Sequence, residues 1–503
     1  MKEIVNVELM RKSDFATIEG GISGASLMHR AAMGVYNCVS WYGKIGIVCG
    51  SGNNAGDGYA LALILKEKGI ECDIILVSSD RFSKDGKYYF NKCIEAEIPT
   101  LLWTKCNFSS YDILVDCILG TGFAGEPRGD CATVIDKINE SGAYIVSVDI
   151  NSGLNGDNGM AKKAVKSNLT VSVGTEKAGH HLGMAKDYIG SLTNCDIGIR
   201  ITEKPYYLIE RSDCVSVFKE RRSFSNKGNY GYSALIGGCM EYSGAVKLAN
   251  LALSALKSGT GVVKLATAKS LFPSVSPYLL ESTFYPLTDA DGSILFDPTE
   301  IDGLLRGVKT VAVGMGIGNT ENVHKILVHI LKNYAITVII DADGLNALAK
   351  YGMEILKETK CNVVLTPHPK EMERLSGTGV EDILSNPVNT ALSFAKEYSC
   401  TVLLKGSGAV VSDGNYVYIS DTGCSGMATA GSGDVLCGIL LGILSQVPEN
   451  ISITLAVASG AFINGLAGEI AEKDTNPVSM TSCDTVRAIS TAISQILKKI
   501  NLY

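Results

Sequence analysis

The chain has 503 residues, 46% of them hydrophobic and 19% charged, with a formal net charge of −7. That length exceeds one ordinary hydrophobic core and predicts two or three domains. The negative balance, with no Lys/Arg-rich run, argues against nucleic acid as a principal partner. The segment Met1–Glu8 lacks the apolar h-region of a signal peptide. The apolar runs Val435–Leu444 and Ile451–Ala458 fall short of the roughly 20 residues a bilayer span needs, so no membrane partner is expected. The 15 cysteines, an odd number without a C-x-x-C pair, read as reduced core residues and point to the cytoplasm.

In chain order, Lys44–Cys49, Cys72–Val77, Asp112–Cys117 and Tyr144–Ile150 read as buried parallel strands. Between the first two, Asp57–Lys68 is apolar on one helical face and charged on the other. This alternation predicts a doubly wound parallel sheet with ligands at the carboxyl ends of its strands. From Ile201 to Lys227 the pattern breaks into polar, charged sequence, and a boundary is expected at Ser212, giving domains 1–212 and 213–503. A second α/β series follows. Its strands are Tyr232–Gly237, Gly261–Ala266, Lys309–Val313, Ile336–Asp341, Cys361–Leu365 and Thr401–Lys405, with Ser243–Lys257 as a helix. Ile451–Leu502 reads as two or three helices.

In the first half, Gly50-Ser51-Gly52-Asn53-Asn54-Ala55-Gly56-Asp57-Gly58 follows a strand and opens a helix. That context fits a phosphate-cradling loop, although the sequence is neither a Rossmann fingerprint nor a Walker A motif. Two other strand ends carry Asp116 and the run Asp149-Ile150-Asn151-Ser152. In a parallel sheet these ends converge, so Asn54, Asp116 and Ser152 are expected to share a site. Oxygen ligands of low charge suit a hard, weakly bound cation better than zinc.

The order ELMRKSDFATIEGGISGASLMHRAA, GNNAGDGY, DCILGTGFAGEPRG and VDINSGLNGDNG closely resembles the NAD(P)H-hydrate epimerases, and the resemblance implies a Rossmann-like domain. It implies contacts to a hydrated dinucleotide (NADHX or NADPHX) from Asn53, Asn54, Ala55, Gly56 and Asp57. Further contacts are implied for Gly120, Thr121, Gly122, Phe123, Ala124, Gly125 and Glu126, and for Asp149. It also implies a potassium ion on Asn54, Asp116 and Ser152, with Asp149 as the candidate acid–base. Two positions depart from that pattern: Ala55 stands where a small glycine is usual, and Asn151 replaces a proline.

In the second half, Thr429-Ala430-Gly431-Ser432-Gly433-Asp434 precedes an apolar run. Glycines let a backbone approach an anion closely, and a helix opening adds positive potential. Asp434 then stands where a base can take a proton from a substrate hydroxyl. Gly314-Met315-Gly316-Ile317-Gly318, Asp341 with Asp343, Thr366-Pro367-His368-Pro369-Lys370-Glu371 and Lys405-Gly406-Ser407-Gly408-Ala409 mark further strand ends. From about Asn226 onward this order, above all TPHPKE and AGSGD, resembles the ADP/ATP-dependent NAD(P)H-hydrate dehydratases, which are ribokinase-like. The resemblance implies hydrate contacts at Ala245, Gly316, His368 and Asp434. It implies adenine-nucleotide contacts at Lys405, Gly406, Ser407, Gly408, Ala409 and Gly433, with Asp434 catalytic. Asn226 departs from the usual histidine.

Together these resemblances predict a bifunctional lyase and isomerase that repairs hydrated NADH and NADPH. The first domain interconverts the two epimers. The second phosphorylates the ring hydroxyl of one epimer from ADP, or from ATP, and expels phosphate. Magnesium is expected on chemical grounds, and a homo-oligomer is expected. The alternative is a ribokinase-like small-molecule (vitamin) kinase fused to a non-catalytic nucleotide-binding module.

Overall fold

The computed structural model describes residues 1–78, 81–241 and 245–498. It divides into two compact units, Glu3–Tyr206 and Tyr207–Tyr503, with Met1 and Lys2 belonging to the second.

The first unit is built on a parallel sheet in the order Thr100–Leu102, Cys72–Leu76, Ile45–Cys49, Ile113–Cys117, Tyr144–Val148, Ser167–Val173, Ile189–Cys195. Its central strands are buried on both faces, as near-continuous apolar runs in parallel sheets require. From Ile45–Cys49 the chain first winds outward to Cys72–Leu76 and Thr100–Leu102. It then returns to the other side of Ile45–Cys49 as Ile113–Cys117. The strand order therefore reverses between Ile45–Cys49 and Ile113–Cys117, and the loops after these two strands open a crevice there. The last two strands of this sheet were not expected from sequence.

The predicted helix Asp57–Lys68 begins earlier, at Asn53, and runs to Glu67. Asp116 lies inside its strand, not at its end, and is fully buried.

The second unit repeats this logic. Tyr232–Ile236 has Val262–Ala268 on one side and Thr310–Val313 on the other, all parallel. Thr337–Ile340, Asn362–Leu365 and Thr401–Leu404 continue the parallel run. An antiparallel hairpin, Ala409–Ser412 with Val417–Ser420, follows on that side. Order reverses again beside the first core strand, next to Gly314–Gly318. Helix Ser432–Leu444 packs on helix Ala245–Lys257. A side-chain carbon at Gly438 or Gly442 would collide with the backbone of Leu251 or Ala255, so this crossing needs glycines.

Of the predicted helix Ser243–Lys257, Ser243 and Gly244 lie outside the described residues, as does the side chain of Ala245. The apolar run Ile451–Ala458 leads into a 22-residue helix, Ile453–Asp474, long and apolar enough by length and composition to cross a membrane. Its apolar window is 78% buried against the protein, and it packs between Ser432–Leu444 and Ser482–Leu497 as a core helix.

Candidate functional sites

In the first unit a cavity of about 690 Å³ opens at the point of strand reversal. Asn53, Asn54, Asp57, Gly120, Thr121, Gly122, Phe123 and Asp149 line it, so two loops and a third strand end meet there as expected. Ala55 and Gly56 are buried in the first turns of the helix behind it, and Ala55 has a negative φ. Ala124 lines a neighbouring cavity with Thr121 to Phe123 and the helix residues Arg11 and Lys12. Gly125 turns with φ +97°, and Glu126 is exposed and pairs with Lys162 at 3.3 Å.

Beneath the cavity floor Leu119 ties together the three oxygen-bearing residues. Asn54 Nδ2 donates to the Leu119 carbonyl at 2.9 Å, and the Leu119 N–H donates to Ser152 Oγ at 2.8 Å. Ser152 Oγ in turn donates to Asp116 at 2.5 Å. Asp116 also accepts from the Ser152 N–H and Ser147 Oγ, both at 2.9 Å, and from the Ile118 N–H at 3.2 Å. Burial pushes its carboxyl up despite those bonds, and it makes no ion pair among the described residues. Asn54 Oδ1 is buried without a hydrogen-bond partner, which normally costs about 1–3 kcal/mol. An orphaned buried amide oxygen is a ligand that a monovalent cation would satisfy.

The sequence reading missed the residues that surround Asp149. This residue adopts φ +66°, in the left-handed region, a strain that persists where surrounding structure fixes it. Its carboxylate binds the Lys177 ammonium, which is 1% exposed and also donates to the Val173 carbonyl at 2.8 Å. His180 Nδ1 accepts from the Lys177 N–H at 3.1 Å. The proton of the neutral ring therefore sits on Nε2 and is donated to the Asp149 carbonyl at 2.9 Å. Burial, with Lys177 adding, lowers the His180 pKa to about 3.

Three more acids line the same cavity, Asp57, Asp85 and Asp14, the last from helix Val7–Glu19. Burial, reinforced by Asp149 and Asp14, holds the Asp57 carboxyl well above its ordinary range. Burial raises Asp14 to about 6, against the pull of Lys177. The cavity thus combines two carboxyls raised by burial with one paired to a buried lysine. That contrast is what acid–base chemistry at a single centre requires. Asn151, the departure from proline, is buried and its amide is within hydrogen-bond reach of Val165 O, Ser167 Oγ and Tyr188 O, while Thr170 Oγ1 donates to its oxygen at 2.6 Å. The network replaces whatever rigidity a proline would give.

In the second unit Gly431, with φ +92°, opens helix Ser432–Leu444, placing Gly433 and Asp434 in its first turn. Lys405 Nζ lies 2.9 Å from Asp341 and 3.6 Å from Glu371. Glu371 Oε2 accepts the His368 N–H at 2.9 Å, and His368 Nδ1 accepts from the N–H groups of Lys370 and Glu371, at 3.1 and 3.3 Å, capping helix Pro369–Ser376. His368, Lys405 and Gly433 are therefore brought together. Lys405–Gly408 form the turn of a hairpin that Ala409 continues, and Gly316 turns with φ +61° after strand Thr310–Val313. Burial lowers the half-exposed His368, with Lys405 opposing protonation more weakly than Glu371 favours it.

The geometry defines a two-unit α/β enzyme, with an acid–base cavity in one unit and a glycine-rich, cation-bearing helix opening in the other. Residues 24–179 match the YjeF-related protein N-terminus family, and residues 233–491 match the NAD(P)H-hydrate dehydratase family. The bifunctional NAD(P)H-hydrate repair enzyme Nnr of Thermofilum pendens is 33% identical over 462 residues, covering 89% of this chain and 87% of that protein. Its counterpart in Escherichia coli is 31% identical over 438 residues, covering 84% and 80%. The chain belongs to the family of bifunctional NAD(P)H-hydrate repair enzymes. A solved structure of the ADP/ATP-dependent NAD(P)H-hydrate dehydratase of Bacillus subtilis, co-crystallised with ATP and Mg²⁺, is 24% identical. It covers 58% of this chain and 99% of that one, with a TM-score of 0.49. Because the named relatives match across both halves, the vitamin-kinase alternative is not favoured.

Proposed function

We propose that residues 1–212 epimerise the R and S forms of hydrated NADH and NADPH, and that residues 213–503 dehydrate the S form using ADP, with ATP as a second donor. The observation that carries this reading is the joining in one chain of two different sites, each suited to one half of a single repair. A stereospecific dehydratase leaves one epimer untouched, and an epimerase removes that loss.

In the first unit the asparagine loop and the Gly120–Phe123 loop would hold the dinucleotide, with Ala124–Glu126 extending along it. Asp149, held by Lys177, would take the proton of the carbon-6 hydroxyl as the carbon–nitrogen bond of the hemiaminal opens to an aldehyde and the nitrogen gains a proton. Reclosure of that nitrogen on the opposite face, with a proton returned to the oxygen, gives the other epimer. Asn54, Asp116 and Ser152 would hold potassium, which supplies positive charge near the pyrophosphate without demanding a tight cage.

In the second unit His368, Gly316 and Ala245 would seat the nicotinamide hydrate. Lys405–Ala409 and Gly433 would hold the adenine nucleotide. Asp434 takes the proton of the carbon-6 hydroxyl, whose oxygen attacks the terminal phosphorus of ADP and releases AMP. The Gly431–Gly433 amides stabilise the charge on the transferring group. The ring nitrogen lone pair then expels phosphate, a carbon-5 proton leaves, and the ring double bond returns. Magnesium, when bound, neutralises phosphate charge during transfer.

The test is chromatographic separation of both hydrate epimers after incubation with ADP or ATP. Both should disappear in favour of NAD(P)H, with AMP and phosphate released from ADP. Consumption of neither epimer would overturn the reading. A stable phosphorylated product would point back to a kinase.

A further inference from the structure

We propose that Asp341 is a positioning residue for nucleotide use, holding the Lys405 ammonium beside the opening of helix Ser432–Leu444. The proposal rests on the dehydratase reading above and deepens it.

Asp341 directly follows strand Thr337–Ile340 and is 2% exposed. Lys405 directly follows strand Thr401–Leu404, two strands away in the sheet, and its Nζ meets Asp341 Oδ1 at 2.9 Å. A side-chain carbon built at Gly433 would stand 3.6 Å from Lys405 Nζ and 3.9 Å from Asp341 Oδ2. The pair therefore lies against the backbone that opens the helix, where an anion is favoured.

The carboxylate is itself fixed by the chain. Ala342 adopts φ 49° and ψ −116°, a conformation costly for any residue with a side-chain carbon. Hydrogen bonds on either side lock it, from the Asp343 N–H to Gly314 O at 3.2 Å and from the Gly344 N–H to Asp341 O at 2.9 Å.

The lysine has a competing partner. Glu371, 5% exposed, has Oε2 3.6 Å away on the segment that carries His368. An ammonium has three donors on a flexible stem, so without Asp341 it would move to Glu371 and away from Gly433. Burial alone would lower the Lys405 pKa, but Asp341 and Glu371 outweigh it and hold the amine charged. With two buried carboxylates around one ammonium, the cluster favours an ammonium that stays in place while a phosphate oxygen takes one of its remaining donors.

The experiment uses the full chain and ADP-dependent dehydration of the S hydrate, with Asp341→Asn, Lys405→Met and the double variant. Each single change should lower kcat/KM for ADP on the order of 10- to 100-fold, the cost of breaking a buried charge pair. The KM for the hydrate should stay within about twofold, and the double variant should be no worse than Lys405→Met, because both act through one ammonium. Multiplying losses, or a loss confined to the hydrate KM, would overturn the proposal.

Should Asp341→Asn fail to fold, Asp341→Glu decides: it keeps a carboxylate but moves it by one methylene, so kcat/KM for ADP should fall at least about threefold while the KM for the hydrate stays within about twofold. Unchanged ADP kinetics in a folded Asp341→Glu protein, or a loss confined to the hydrate KM, overturns the proposal. A wild type inactive with both ADP and ATP would instead overturn the dehydratase reading itself.

Discussion

The Lys177 ammonium, buried in the first unit, is bound by the carboxylate of Asp149, a residue held in the left-handed backbone region. A buried ammonium with its partner removed is an uncompensated charge, and so is the reverse. Lys177→Met should therefore lower epimerisation at least about 100-fold, with the first unit destabilised by about 3–5 kcal/mol. ADP-dependent dehydration of the S epimer, whose residues lie in the other unit, should persist. Normal epimerisation by a folded Lys177→Met protein would sink the role given to this pair.

His180 gives the first unit an acid sensitivity whose sign is fixed by its environment. Its folded pKa is about 3, below the ordinary 6.5, so the folded ring stays neutral while the unfolded ring protonates as pH falls through 6.5. Stability from this group is complete above pH 6.5 and is lost progressively down to about pH 3. At pH 5 the loss should be about 2 kcal/mol relative to pH 7.5. Calorimetry of the wild type and His180→Gln at both pH values checks this, and an equal loss in both proteins counts against it.

The cation site predicts a salt dependence that is chemical and not ionic. Epimerisation should be faster in potassium than in tetramethylammonium at equal ionic strength, since only the smaller ion can reach the orphaned Asn54 oxygen. Asn54→Ala should remove the difference. Asp116 is a poorer probe because it accepts four hydrogen bonds, and its loss would disturb the floor. Identical wild-type rates in the two salts would exclude the site.

Asp434→Asn should abolish dehydration by a factor on the order of 10²–10⁴, the typical contribution of a positioned base. Epimer interconversion should continue unchanged. Near-normal dehydration by this variant, with its fold verified by circular dichroism, would remove Asp434 from the proton transfer.

Much of this protein was legible in its sequence because parallel α/β units write themselves locally. Apolar runs such as Ile45–Cys49 and Ile113–Cys117 read as buried strands, and the glycine-rich stretches after them as turns or helix openings. The order of those turns carried the family resemblance, and with it Asn54, Asp149, Lys405 and Asp434. Short edge strands and the hairpin Ala409–Ser412 with Val417–Ser420 escaped, since they are stabilised by neighbours more than by their own pattern. Charge partners escaped for the same reason. Lys177, 28 positions from Asp149, looks like an ordinary polar residue until the sheet closes, and Asp341, marked as a strand-end acid, is not legible as the partner of Lys405, 64 positions away. Sequence determined which backbone would turn and where. Tertiary structure alone decided which charges meet away from water, because burial and partner distance, which set a side chain's protonation and strength, do not exist in an unfolded chain.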